Sequence, residues 1–114
     1  MDSRYVIKLS NTANKNLDDI SDYISEELMS PIVAMDLIDE LEMTIQKRLE
    51  LFPYAYPVHT FLESLGTEYR RTVIGNFTVF YKIIEPKNKN EKGLVVVNHI
   101  VYNARDIEKI IVSD

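Results

Sequence analysis

At 114 residues the chain has room for one hydrophobic core, and residues 1–114 read as a single domain. Hydrophobic residues at 46% and charged residues at 27% exclude a disordered chain, while the lack of cysteine excludes a disulfide scaffold and a thiol nucleophile. The net charge of −5 excludes a generally nucleic-acid-adhesive protein, yet residues 1–68 hold 5 Lys/Arg against 13 Asp/Glu and residues 69–114 hold 8 against 5, so an anionic partner is expected to meet the second half.

Tyr5-Val6-Ile7-Lys8-Leu9 is a β-prone run ended by Ser10-Asn11. From there to Met29, the residues Ala13, Leu17, Ile20, Ile24 and Leu28 recur at helical spacing, with Asp18, Asp19, Asp22, Glu26 and Glu27 mostly off that face. Asn11 or Thr12 is the expected N-cap. Ser30-Pro31 ends this helix and opens a second, because proline disfavours helical geometry in the residue before it and suits the first helical position, with Ser30 as N-cap. Ala34, Leu37, Ile38, Leu41, Ile45, Leu49 and Phe52 form the apolar stripe of that second helix, which is about 30 Å long and ends before Pro53. So short a linker predicts an antiparallel helical hairpin.

Residues 53–68 carry two prolines, a glycine and no sustained period, which predicts an ordered loop pinned by Tyr54, Tyr56 and Phe61. Two alternating runs follow across residues 69–84, separated by Gly75-Asn76, a two-residue turn with glycine first as type II′ requires. That turn pairs Ile74 with Phe77, Val73 with Thr78, Arg71 with Phe80 and Arg70 with Tyr81. Alternation then assigns Arg70, Thr72, Ile74, Phe77, Val79, Tyr81 and Ile83 to a face meeting the helices. Tyr69, Arg71, Val73, Thr78, Phe80 and Lys82 fall on an opposite, open face. Residues 86–93 are a polar basic loop tip, Leu94 to Val101 a strand at the sheet centre, and residues 105–112 a short closing helix. The order strand, two helices, three strands gives an α+β fold with a helical hairpin on one face of a small, mostly antiparallel sheet. No apolar run reaches the roughly 18 residues that a membrane span needs. With no signal-peptide core at MDSRYVIKLS, a soluble cytoplasmic protein without membrane contact is expected.

Chemistry-bearing residues are few. His59 and His99 are the only histidines, and with no cysteine no metal site is expected. His99, inside an apolar strand, reads as a buried, hydrogen-bonded histidine before it reads as a general base. Arg71 beside Tyr69, Phe80 and Lys82 can hold a phosphate or stack on a base, or it can simply be ion-paired on a half-exposed face. Tyr102 can serve as an acid/base, a stacking platform or a cover for the core edge. Arg105-Asp106 can cap the last helix.

Three stretches, FPYAYP at 52–57, YRRTVIGNFTVFYKI at 69–83 and VNHIVYNARDIEKII at 97–111, resemble the RelE/ParE family of toxins from bacterial type II toxin–antitoxin modules. The resemblance spans nearly the whole chain and implies the β-α-α-β-β-β fold of that family. It also implies a toxin that arrests growth unless held in a hetero-oligomer by a cognate antitoxin, with no cofactor. RelE-like members cleave mRNA on the ribosome with basic residues on the sheet face and an acid/base near the C-terminus; ParE-like members poison DNA gyrase. For a nuclease the resemblance nominates Arg71, Lys82, Tyr102 and His99 as catalytic. Tyr69, Arg71, Thr78, Phe80, Lys82 and Arg105 are the residues nominated for binding. Thr78 stands where the nucleases carry an arginine for the scissile phosphate, and the acidic net charge is unlike theirs. Both departures point to a ParE-like toxin acting on gyrase or another protein. The alternatives are a RelE-like, metal-independent mRNA endoribonuclease, and a degenerate toxin or plain interaction module.

Overall fold

The computed structural model describes residues 5–59 and 68–102. The elements run β1 (Tyr5–Leu9), α1 (Asn11–Leu28), α2 (Pro31–Leu51), a 3-10 turn (Pro53–Ala55), β2 (Arg70–Ile74), β3 (Phe77–Ile84) and β4 (Gly93–Tyr102). The four strands form one sheet in the order β1-β4-β3-β2. β1 is parallel to β4 and the other pairings are antiparallel, so the sheet is mostly antiparallel as expected and β4 lies inside it. The helix expected over residues 105–112, with Arg105 and Asp106, lies outside the described residues, as does Phe61.

Both helices bury the stripes that their spacing predicts. Ala13, Leu17, Ile20 and Ile24 of α1 and Ala34, Ile38, Leu41, Ile45 and Leu49 of α2 are buried against Phe77, Val79, Tyr81, Val95, Val97 and Ile100 of the sheet. The stripe ends do not follow the pattern: Leu28 is 52% exposed and Phe52 64% exposed, because both stand at helix termini beyond the sheet. The N-cap of α1 is Ser10, in place of Asn11 or Thr12, its hydroxyl accepting from Ala13 N at 3.0 Å. Ser30 caps α2 as expected, accepting from Val33 N at 3.3 Å.

The turn between the helices is tight and strained. Met29 N donates to Glu26 O and Ser30 N to Ser25 O, which satisfies two of the carbonyls left open at the end of α1. Closing that motif puts Met29 in the left-handed region, at φ 51° and ψ 36°. Glycine is the residue that adopts this geometry without a Cβ penalty, which for other residues is about 1–2 kcal/mol. Met29 recovers none of it by packing, since its side chain is 90% exposed.

The hairpin register is the one read from the turn: Ile74 opposite Phe77, Val73 opposite Thr78, Arg71 opposite Phe80 and Arg70 opposite Tyr81. Positive φ occurs at Gly75, at 57°, and not at Asn76, as a type II′ turn requires. The helix-facing row is also as expected. Arg48 of α2 reaches across it, donating to Thr72 Oγ1 at 2.8 Å and to Val73 O at 2.9 Å. Arg70 donates to Tyr56 O at 2.8 Å and lies 5.0 Å from the centre of the Tyr54 ring, a structural role at the sheet margin. Glu85 accepts from both Tyr54 and Tyr5, and this bond, with burial and the carboxylate charge, pushes the Tyr54 hydroxyl up to about 12. Tyr81 donates to Pro53 O at 2.5 Å, and burial raises its hydroxyl above the usual range.

β4 departs from simple alternation. Phe80 pairs with His99 but the next residue, Tyr81, pairs with Val97, so Asn98 is the extra residue of a β-bulge. Val95 and Val97 face the helices before the bulge and Ile100 does so after it, which turns His99 and Val101 to the second face. The first turns of α1 hold the bulge: Ser10 N donates to Val97 O at 2.9 Å, Ser10 Oγ to Asn98 O at 3.0 Å, and Ile100 N to Asn16 Oδ1 at 3.0 Å.

Two outcomes follow for stability. Met29→Gly relieves the left-handed strain and is expected to stabilise the protein by about 1 kcal/mol, raising Tm by a few degrees in a thermal melt. Asn16→Ala leaves the buried Ile100 N–H without its acceptor and is expected to cost about 1–3 kcal/mol in denaturant unfolding.

Candidate functional site

The second face of the sheet is built around Phe80, which the hairpin register and the bulge place opposite both Arg71 and His99. Phe80 is fully buried and packs with Val101 and Tyr69. Residues 57–59 lie against this face at its β2 edge. Val58 bridges Arg70, His59 N donates to Tyr69 O at 2.8 Å, and Arg71 N donates to Pro57 O at 3.1 Å. Residues 57–59 thereby run as a rail along the outer edge of β2 and carry His59 onto Phe80, ring centroids 5.4 Å apart in an edge-to-face contact. Tyr69 makes a similar contact with His99 at 6.2 Å.

This face is therefore not open at its centre, contrary to the expectation from alternation. Thr78 is 1% exposed, and both His59 and His99 are buried. Alternation identifies which residues share a face but not how deeply each is covered, and the rail that brings His59 onto Phe80 has no period of its own. The cations lie at the margin. Arg71 is exposed, while Lys82 is half-buried, with Nζ 4.9 Å from the centre of the Tyr69 ring. Burial raises the Tyr69 hydroxyl, keeping the ring neutral beneath the ammonium.

Tyr102 does not join this group. It lies on the helix side of the sheet, its ring 5.2 Å from Phe77 and 6.0 Å from Tyr23. There it lines a recess of about 310 Å³ with Leu37, Leu41, Ile74 and Phe77. Of the residues expected to act in a nuclease, Arg71, Lys82 and His99 share one face and Tyr102 stands behind the sheet from them. Of the expected binding residues, Tyr69, Arg71 and Lys82 reach the surface, Thr78 and Phe80 are interior, and Arg105 lies outside the described residues. Reasoning from sequence missed His59 as a member of the cluster and Asn98 as the residue that reverses the strand. Asn98 Oδ1 is buried without a hydrogen-bond partner among the described residues. A strand interrupted by an amide-bearing residue between apolar runs was the one available signal.

Chemically, the margin offers two cations to an anion, and the centre offers an apolar, aromatic plug. Among the described residues no group of three or more His, Asp or Glu is placed to hold a metal ion. No described helix is long and apolar enough to cross a membrane. A family model described as the ParE toxin of the type II toxin-antitoxin system, parDE, matches residues 7–110. No curated protein matches the chain.

The burial pattern sets contrasting expectations for three substitutions. Phe80→Ala should cost about 3–5 kcal/mol, whereas Arg71→Ala should change stability by no more than about 0.5 kcal/mol in the same denaturant titration. Thr78→Arg would place a guanidinium in the closed centre of the face. It should destabilise by several kcal/mol, the order of a buried charge without a partner, and so acts on folding before it can act on catalysis.

Proposed function

The chain belongs to the ParE toxin family of type II toxin–antitoxin systems, and from that membership we propose that it arrests growth by binding a protein target, DNA gyrase, and not by cutting mRNA. As a toxin of such a system it has a cognate antitoxin as partner. The observation that carries the proposed mechanism is the closed centre of the second sheet face: a buried Thr78 and a buried Phe80. Cleavage of RNA through its 2′-hydroxyl needs cations converging on the phosphate, with an acid and a base within hydrogen-bond reach of the reacting oxygens. Here Lys82 rests on Tyr69, and Tyr102 is screened by the sheet from Arg71. A binding mechanism calls for neither cofactor nor metal, and a gyrase or ribosome target puts the protein in the cytoplasm. Pairing of the first described strand with the last supports residues 1–114 acting as one domain.

One observation favours a second reading, a ribosome-dependent endoribonuclease. Arg71, Lys82 and His99 do share a face, so a phosphate at its margin would meet two cations near an imidazole. Purified protein separates the readings when assayed on gyrase supercoiling and, after induction in cells, by primer extension on a message. Inhibition of supercoiling with intact mRNA is expected. Cuts positioned by codon, with supercoiling unaffected and cleavage lost in Arg71→Ala/Lys82→Ala, would replace gyrase binding by the nuclease reading.

A further inference from the structure

The sheet separates the charges of this chain. The two helices, which pack on one of its faces, carry ten Asp/Glu and three Lys/Arg, whereas the described strands and loops carry three Asp/Glu and seven Lys/Arg. Two of those three carboxylates are engaged: Glu85 accepts from the hydroxyls of Tyr5 and Tyr54, and Glu91 from Asn88 Nδ2 at 2.9 Å. The third, Glu68, precedes β2, the strand at the far edge of the sheet from β1. The basic character is therefore concentrated toward β1 and the β3–β4 loop.

Register draws Lys8 of the acidic half into that region. Tyr5, Ile7 and Leu9 of β1 pack against the helix-facing core, so Val6 and Lys8 point to the second face. Val96 of β4 is the direct partner of both Lys8 and Lys82, and Leu94 is likewise the partner of both Val6 and Ile84. The two lysines thus stand about 10 Å apart, twice the spacing of neighbouring strands, over a floor of short apolar side chains. Val6 is 44% and Ile84 51% exposed, so this end of the second face reaches the surface, unlike its centre at Phe80. The β3–β4 loop beyond it adds Lys87, Lys89 and Lys92, all exposed. Ammonium groups on long stems act as point charges, which suit a polyanion more than a shaped pocket. Phosphates recur about every 3.4 Å along each strand of duplex DNA, so the span from Lys8 to Lys82 covers about three of them. A net charge of −5 opposes tight binding of free DNA, and the acidic helices are repelled by it. DNA already held by a protein partner meets this face at no such disadvantage, because the partner supplies the remaining affinity.

We propose that the lysine-lined end of the second sheet face, Lys8 and Lys82 with Lys87, Lys89 and Lys92, lies on the phosphate backbone of DNA that the target enzyme holds. The toxin then prefers the enzyme–DNA complex to the enzyme alone. The proposal rests on the reading of gyrase as target and adds a nucleic-acid contact to the protein one. Repulsion between the same phosphates and the acidic helices turns the helical side away from the DNA, which fixes the orientation of the bound toxin.

The test uses Lys8→Ala/Lys89→Ala/Lys92→Ala, which removes three exposed ammonium groups and should melt with the wild-type chain. Toxin binding to gyrase is measured with and without a bound linear duplex, and as a function of salt. Wild-type toxin should bind the gyrase–DNA complex at least about tenfold more tightly than gyrase alone, and the alanine variant should bind both alike. Three fewer phosphate contacts also flatten the salt dependence. Between about 50 and 200 mM salt the wild type should lose about 40-fold more affinity for the complex than the variant does. Lys8→Arg/Lys89→Arg/Lys92→Arg keeps the charges and should behave as the wild type. Equal binding of the wild-type chain to gyrase with and without DNA overturns the proposal and leaves gyrase as the target. So does a DNA-dependent gain that the alanine variant retains; if that variant also binds purified antitoxin more weakly, the face belongs to the antitoxin. Equal affinity of the wild type for free duplex and for the complex would mean general adhesion to DNA and overturns it too. Failure of the wild-type chain to bind gyrase in either form removes the gyrase reading, and this contact with it.

Discussion

The contact between the first turns of α1 and the bulge in β4 is the constraint on which the rest of the molecule depends. Ser10 and Asn16 between them engage the carbonyl of Val97, the carbonyl of Asn98 and the N–H of Ile100. β1 stops at Leu9, so beyond that point β4 has no parallel neighbour on that side. An interior strand with unsatisfied backbone groups is costly, and α1 supplies the partners that β1 does not. The same contact fixes where α1 starts, since Ser10 Oγ both donates to Asn98 O and accepts from Ala13 N. One serine thus couples the strand irregularity to the helix that covers it.

The two faces of the sheet are distinct because of that irregularity. Without the extra residue, β4 would keep one parity from Gly93 to Tyr102 and put His99 among the helix-facing side chains. With it, Ile100 and Tyr102 pack toward the helices while His99 and Val101 join Phe80, Tyr69 and His59 behind. The second face becomes a small core of its own with cations at its rim. Arg71 stands exposed at that rim, while the described helices are edged with exposed carboxylates. The unequal charge of the two halves has a spatial meaning in this arrangement, because the acidic half is the half that forms those helices.

Much of this was legible beforehand. Helical stripes, the proline that splits the hairpin and the glycine-first turn each rest on local stereochemistry, and each found its element in place. Register followed from the turn alone, which is why Arg70 and Arg71 could be assigned to opposite faces from residue order. What could not be read depends on contacts between distant segments. The bulge at Asn98 is stabilised by residues more than eighty positions earlier. The contact of His59 with Phe80 comes from chain that carries no repeat. The left-handed Met29 was hidden for another reason, in that a helix end there calls for glycine and the sequence supplies methionine.

The parallel pairing of β1 with β4 has a consequence for timing. Tyr5 lies beside Gly93, close enough that a Cβ on the glycine would come within 2.4 Å of the tyrosine ring. The strand flanked on both sides by others is therefore the last described one to be made, and the first strand has no partner until it arrives. Contacts of such long sequence separation form late, after the entropy of closing the intervening chain has been lost. During synthesis the helical hairpin can assemble early, but the sheet cannot. A ribosome that stalls or releases the chain before β4 yields a molecule with helices and no closed core. Closure of the sheet is thus withheld until residues 93–102 have been made.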